Sequence, residues 1–176
     1  MRTRLSFLAT ALGGAVMSGL ILSAPVRALA DPGPASTAAA PASADVVASG
    51  VLRVKSVYRF DETISRLKAD IAAKGIKFFD EIDQSQLGAG AKIDLGPSKL
   101  LLFGNPPLGV QFLTSNRYAG LDWPVRMLVI QDPDGQVYVA WTDFNYIKGR
   151  YAIADRDAAF KMATEVSASI ASSVTQ

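Results

Sequence analysis

Asn105, Asp122, Trp123 and Arg126 are the four residues of this chain whose types and spacing could build a small binding site. They offer one amide, one aromatic wall and a carboxylate–guanidinium pair, a set suited to orienting a small molecule in an apolar pocket. The same four also have a purely structural use. Asn105 can cap a helix opened by Pro106 and Pro107, Trp123 can anchor a loop in the core, and Asp122 can pair with Arg126. That use accounts for each residue without a ligand. Asp80, Glu81 and Asp83 cluster near a strand end, where carboxylates could move protons or hold a cation, although a solvated strand end is the more common setting. Tyr138, Trp141, Phe144 and Tyr146 form an aromatic stripe that reads first as core packing.

Much chemistry is excluded outright. The 176-residue chain has no Cys and no His. Disulfides, thiolate metal sites, cysteine nucleophiles and imidazole bases are therefore absent. Its Ser residues have no His to activate them, no Ser-x-x-Lys motif opens a plausible helix, and Gly88-Ala89-Gly90 lacks the third glycine of a nucleotide-binding loop. No catalytic residue, metal site or cofactor is predicted. The formal charge of +2 includes Arg2, Arg4 and Arg27. Without those three, the 18 basic residues become 15 against 16 acidic ones, a net charge of −1. A nucleic-acid partner is not expected on that balance.

Those three arginines lie in residues 1–30, which read as a secretory signal: a short positive start, an apolar run, and the small-x-small ending Ala28-Leu29-Ala30. Cleavage after Ala30 leaves no stable membrane anchor and sends the chain to the periplasm or the medium. Residues 31–50 are rich in Pro, Ala and Ser, too poor in apolar side chains to offset ordering, and read as a disordered linker. A single domain is predicted over residues 51–176.

Within it, residues 51–60 alternate as a strand. Asp61 is placed to cap a helix carrying Ile64, Leu67 and Ile71, with Gly75 as its left-handed terminator. Residues 76–82 and 99–104 read as further strands. The second is apolar on both faces through Leu100, Leu101, Leu102 and Phe103, which predicts a centrally covered strand. Residues 83–97 suggest a turn or short weak helix, and Leu108, Phe112 and Leu113 a short apolar helix face. Residues 125–131 and 136–143 form a hairpin around Asp132-Pro133-Asp134-Gly135, a type I turn with a bulge that sets Val129 opposite Val139 and Met127 opposite Trp141. Asp155 is placed to cap a last helix bearing Ala159, Ala163, Val166 and Ile170, and the tail after Ala171 is expected to fray.

These segments carry a resemblance. Phe60-Asp61-Glu62-Thr63, Glu81-Ile82-Asp83, Leu102-Phe103-Gly104-Asn105-Pro106, Leu121-Asp122-Trp123-Pro124-Val125-Arg126 and the Asp-Gly hairpin follow one another over about residues 51–168 as in the bacterial domain-of-unknown-function family 302, which the chain resembles. The resemblance implies a compact α+β domain with a curved antiparallel sheet, often dimeric, and no established activity. Many members carry His where this chain has Gln84 and another near Tyr151, so any chemistry those histidines perform is lacking here.

The expected fold is α+β: a curved, antiparallel-dominated sheet with helices mainly on one face, in the order β-α-β-β-(α)-β-β-α. Both hairpin faces are substantially apolar, with Leu128, Ile130 and Tyr138 on one and Met127, Val129, Val139 and Trp141 on the other, so the second face calls for cover from within the chain, a partner or a ligand. The first functional expectation is a non-enzymatic exported domain that binds a small apolar or amphipathic ligand, or pairs with itself as a homodimer or with another envelope protein. The alternatives are an enzyme using carboxylates, Asn105 and Arg126, and a structural or stress-related envelope protein.

Overall fold

The computed structural model describes residues 43–176. The expected signal, its cleavage site and residues 31–42 of the expected linker lie outside the described residues. Six strands form one open antiparallel sheet: β1 (Asp45–Ala48), β2 (Val51–Lys55), β3 (Lys77–Asp83), β4 (Ser98–Gly104), β5 (Val125–Gln131) and β6 (Val137–Thr142), ordered β1-β2-β6-β5-β4-β3. The helices are α1 (Phe60–Ala73), α2 (Gln84–Gly90), α3 (Pro106–Ser115), α4 (Phe144–Arg150) and α5 (Asp157–Ser172), with a 3-10 turn over Arg117–Leu121. The fold is α+β as expected, with β1, α2 and α4 added to the predicted order.

The hairpin register follows its turn. Val129 faces Val139 and Met127 faces Trp141. Gly135 takes φ +85° and donates to the Asp132 carbonyl at 2.8 Å, while Asp132 N–H closes on Gln136 at 2.9 Å. Carried across the sheet, this register puts Val54, Val139, Trp141, Met127, Val129, Leu101 and Phe103 on one face, all buried. Ile64, Leu67 and Ile71 of α1 and Ile170 of α5 close that core. A second cluster, including Phe112, Phe144, Ile147 and Phe160, sits among α3, α4 and α5.

The opposite face carries Leu100, Leu102, Leu128, Ile130 and Tyr138, each only partly buried. β4 is therefore covered on one side rather than both. The strand is an inner one, flanked by β5 and β3, but its second apolar face is an open surface.

Several boundaries differ from expectation for identifiable reasons. Asp45–Ala48, inside the expected linker, pairs with β2 through a hairpin in which Gly50 takes φ +73°. All four residues of β1 are exposed, so no hydrophobic pattern marks them. α1 starts at Phe60 with Arg59 at its cap position, two residues earlier than an Asp61 cap requires. Its C-terminus is as expected: Gly75 has φ +65° and donates to Ala72, and Ile76 donates to Ile71, the paired bonds of a Schellman ending. α5 is preceded by Arg156, not capped by Asp155, whose carboxylate instead accepts from Ser115 and pairs with Arg156 at 2.6 Å. The tail is docked rather than frayed: Val174 is fully buried, and its carbonyl accepts from Val57 N–H at 3.0 Å.

Candidate functional site

Two apolar helix stripes and the end of the sheet fail to close on one another, and the gap is a cavity of about 350 Å³. Phe103 at the end of β4, Phe112 of α3 and Phe144 of α4 form its inner walls, with Trp123 and Val125 beside them. Small residues leave room where the stripes meet: Ala163 and Ser167 of α5 stand on the lining, and Gly109 of α3 admits the Trp123 ring that forms one wall. Lys74, Asn105 and Met162 are exposed residues of the same lining and mark its mouth.

Trp123 is fixed by close backbone approach. A Cβ built on Gly109 would lie 1.9 Å from the indole Nε1, and one built on Gly104 3.3 Å from it. Only glycine lets α3 pack so tightly on the ring, while at Gly104 a Cβ would ask the ring to give by a few tenths of an ångström. Phe79 meets the same indole edge-on, with ring centroids 5.9 Å apart.

Asn105 precedes α3 as expected, but its side chain makes no cap hydrogen bond. The proline pair explains this. Pro106 and Pro107 have no N–H to offer, and the N–H groups of Leu108 and Gly109 already donate to the Asn105 carbonyl at 3.0 and 2.9 Å. No first-turn donor remains for the amide, which is left on the cavity lining.

Asp122 and Arg126 do not join them. The Asp122 carboxylate is 5% exposed and ion-pairs with the Arg126 guanidinium. It also accepts from Arg150 Nη1 at 3.3 Å and from the Tyr151 hydroxyl at 2.7 Å. That hydrogen bond, together with burial, pushes the Tyr151 hydroxyl above the ordinary tyrosine range. The cluster ties the loop before β5 to the end of α4. The predicted quartet is thus divided: Asn105 and Trp123 line the cavity, and Asp122 and Arg126 form a knot outside its lining.

The acidic trio is divided as well. Register sends Asp80 to the open face and Glu81 and Asp83 to the helix face. Glu81 accepts from Lys99 at 2.9 Å and Lys68 at 3.1 Å, and the Lys99 bond holds its carboxyl below the usual glutamate range. Asp83 caps α2 by accepting from Gln86 N–H at 3.0 Å. Among the described residues, no group of three or more acidic side chains is arranged to hold a metal ion. The aromatic stripe separates too: Trp141 enters the core, Phe144 lines the cavity, Tyr138 lies on the open face and Tyr146 packs against Gly50.

Sequence reasoning missed Gly109, Ala163 and Ser167 as cavity residues. The available signal was the coincidence of small side chains on two otherwise apolar helix faces.

The family model of DUF302, a domain of unknown function, matches residues 52–174. A protein from Brucella suis named fluoride-specific ion channel FluC 1 is 34% identical over 116 residues, which cover 64% of this chain and 44% of that protein. Its namesake from Brucella abortus is also 34% identical, with 42% of its length covered. The chain spans less than half the length of these curated relatives. A crystal structure of an uncharacterized conserved DUF302 protein from Bacillus stearothermophilus aligns with a TM-score of 0.66 at 17% identity, covering 72% of this chain and 99% of that one. This likeness is one of fold.

Proposed function

Starting from the premise that the chain belongs to the DUF302 family, we propose that it is an exported, non-enzymatic domain that holds a small apolar or amphipathic molecule in the cavity among α3, α5 and the end of the sheet. The observation that carries this reading is the cavity itself: about 350 Å³, walled by aromatic and aliphatic side chains, with its polar groups few and localised. Binding pockets for small molecules have this size and composition. The signal-like residues 1–30 support export to the periplasm or medium. The similarity to proteins named as fluoride-specific ion channels supports a working site at the cell envelope. Native mass spectrometry of the purified protein, with an environment-sensitive apolar dye as probe, tests the binding. The wild type should take up the dye and the cavity-filling Ala163→Leu variant should not, with unchanged circular dichroism. Equal uptake by both would remove the cavity from the reading.

A second reading, self-association, is supported by the open face bearing Leu100, Leu102, Leu128, Ile130 and Tyr138. Five strands about 4.8 Å apart and about 20 Å long present roughly 500 Å² of flat surface. A standard interface covers about 800 Å² per partner. The face therefore suits a weak homodimer. Light scattering across micromolar to near-millimolar protein should show concentration-dependent mass that Leu128→Glu abolishes; a monomer throughout would refute it.

A further inference from the structure

The cavity's polar groups are unequal in kind and in depth. Its lining contains no carboxylate and one cation, Lys74. Lys74 and Asn105 stand at the exposed mouth, whereas Phe103, Phe112 and Phe144 are buried at its inner end. The mouth therefore offers an ammonium and an amide, and the rest of the lining offers apolar and aromatic contacts, apart from the Ser167 hydroxyl and the Trp123 indole N–H. An occupant that satisfies both ends is amphipathic, with one acceptor-rich head and one apolar tail. The volume sets its size. At about 30 Å³ for each water-sized group, the space holds about a dozen non-hydrogen atoms.

Lys74 is not a free charge. Its ammonium is held by Asp70 at 2.6 Å, and Asp70 is not part of the cavity lining. An ammonium carries three donors, so it retains capacity toward a second acceptor, but the paired charge gives little long-range attraction. Discrimination for an anionic head must come from short-range, charge-assisted hydrogen bonds at the mouth. Lys74 also sits at the C-terminal cap of α1, where its stem can lie along the apolar rim while the ammonium stays wet.

We propose that the cavity takes a single-headed apolar carboxylic acid of about a dozen non-hydrogen atoms, tail inward, with its carboxylate at the mouth lined by Lys74 and Asn105. This inference rests on the ligand-binding reading above and adds the class of ligand to it.

Decanoate and decanol differ mainly in the head group and serve as paired probes. Each is titrated into the full chain at neutral pH, below its aggregation concentration, with calorimetry and tryptophan emission as readouts. Decanoate should bind about tenfold more tightly than decanol, the worth of one charge-assisted hydrogen bond. Lys74→Met should erase that difference by lowering decanoate affinity to that of decanol. Asp70→Asn, which releases Lys74 from its partner, should tighten decanoate several-fold and leave decanol alone. Ala163→Leu should abolish binding of both. If decanol binds as well as decanoate in the wild type and in Asp70→Asn, acid recognition is wrong while the cavity-binding reading stands. If neither probe binds, both readings fall. If Ala163→Leu binds both normally, the acid site lies elsewhere and the proposal is overturned.

Discussion

Gly109→Ala sets two opposed effects against each other in one atom. Alanine in place of glycine within a helix ordinarily stabilises by about 1 kcal/mol. Here the added Cβ would lie 1.9 Å from Trp123 Nε1 and 2.0 Å from Cε2. Carbon contacts settle at about 3.5–4.0 Å, so the indole or α3 must retreat by roughly 1.5 Å. The indole is a rigid plate held by Phe79 and the Gly104 backbone, and it cannot swing aside as the tip of a flexible side chain can. Overpacking costs about 1–3 kcal/mol. With an overlap this large the upper part of that range applies, and the net loss is about 2 kcal/mol. At a urea dependence of about 2 kcal/mol per molar, the midpoint falls by about 1 M. Trp123 emission, isolated in a Trp141→Phe background, should shift to the red as the ring leaves its slot. Gly149→Ala on α4 is the control, because no atom lies within 4 Å of its new Cβ. It should stabilise by up to about 1 kcal/mol. A Gly109→Ala midpoint at or above wild type, with unchanged emission, would refute the packing argument.

Asn105→Ala should change stability by less than about 0.5 kcal/mol, because the amide caps no donor; a loss of about 1 kcal/mol in urea titration would restore the cap. Asp122→Asn should cost about 1–2 kcal/mol, below the about 3–5 kcal/mol of a fully buried pair, since Arg126 and Arg150 are 42% and 49% exposed and rehydrate when released; chemical denaturation of the variant and of Arg150→Gln checks this. Tyr151, raised by its bond to Asp122, stabilises the fold fully below the ordinary tyrosine pKa, and that contribution disappears as pH climbs through the raised value. Phenolate absorbance should show one tyrosine titrating late, and Tyr151→Phe should flatten the alkaline limb of the stability profile. Val174→Ala should cost about 2 kcal/mol, because the side chain is wholly buried; a thermal midpoint equal to wild type would mean the tail is not docked in solution.

The hairpin was the most legible element. Asp132-Pro133-Asp134-Gly135 specifies its own turn, and a period-two side-chain pattern admits one register beside it. α1 was legible for a similar reason, with Ile64, Leu67 and Ile71 at helical spacing and Gly75 as a local stop. β1 was not, since all its residues are exposed and only its pairing with β2 defines it. At Asn105 the sequence signal was real but incomplete: a capping residue needs donors, and the prolines remove them. The cavity was hard to read because its only sequence signal is small residues on two apolar helix faces, and their meeting depends on how α3 and α5 pack. Asp122 and Arg126 were readable as a pair, while Arg150 and Tyr151 reach the same carboxylate from α4 and just beyond it.

The strand order has a temporal consequence. β3, β4, β5 and β6 follow one another as neighbours, but β2 pairs with β6, the last strand to be synthesised. A chain emerging N-terminus first carries β1 and β2 without an inner partner until Thr142 has appeared, and the Val57–Val174 bond waits for the final residues. The β1–β2 arm therefore waits for β6 before it can join the sheet, whereas β3 to β6 can pair in order as they appear. Ribosome-stalled chains ending before β6 should therefore remain open to proteolysis at residues 51–55, with protection appearing only in chains that extend past α5.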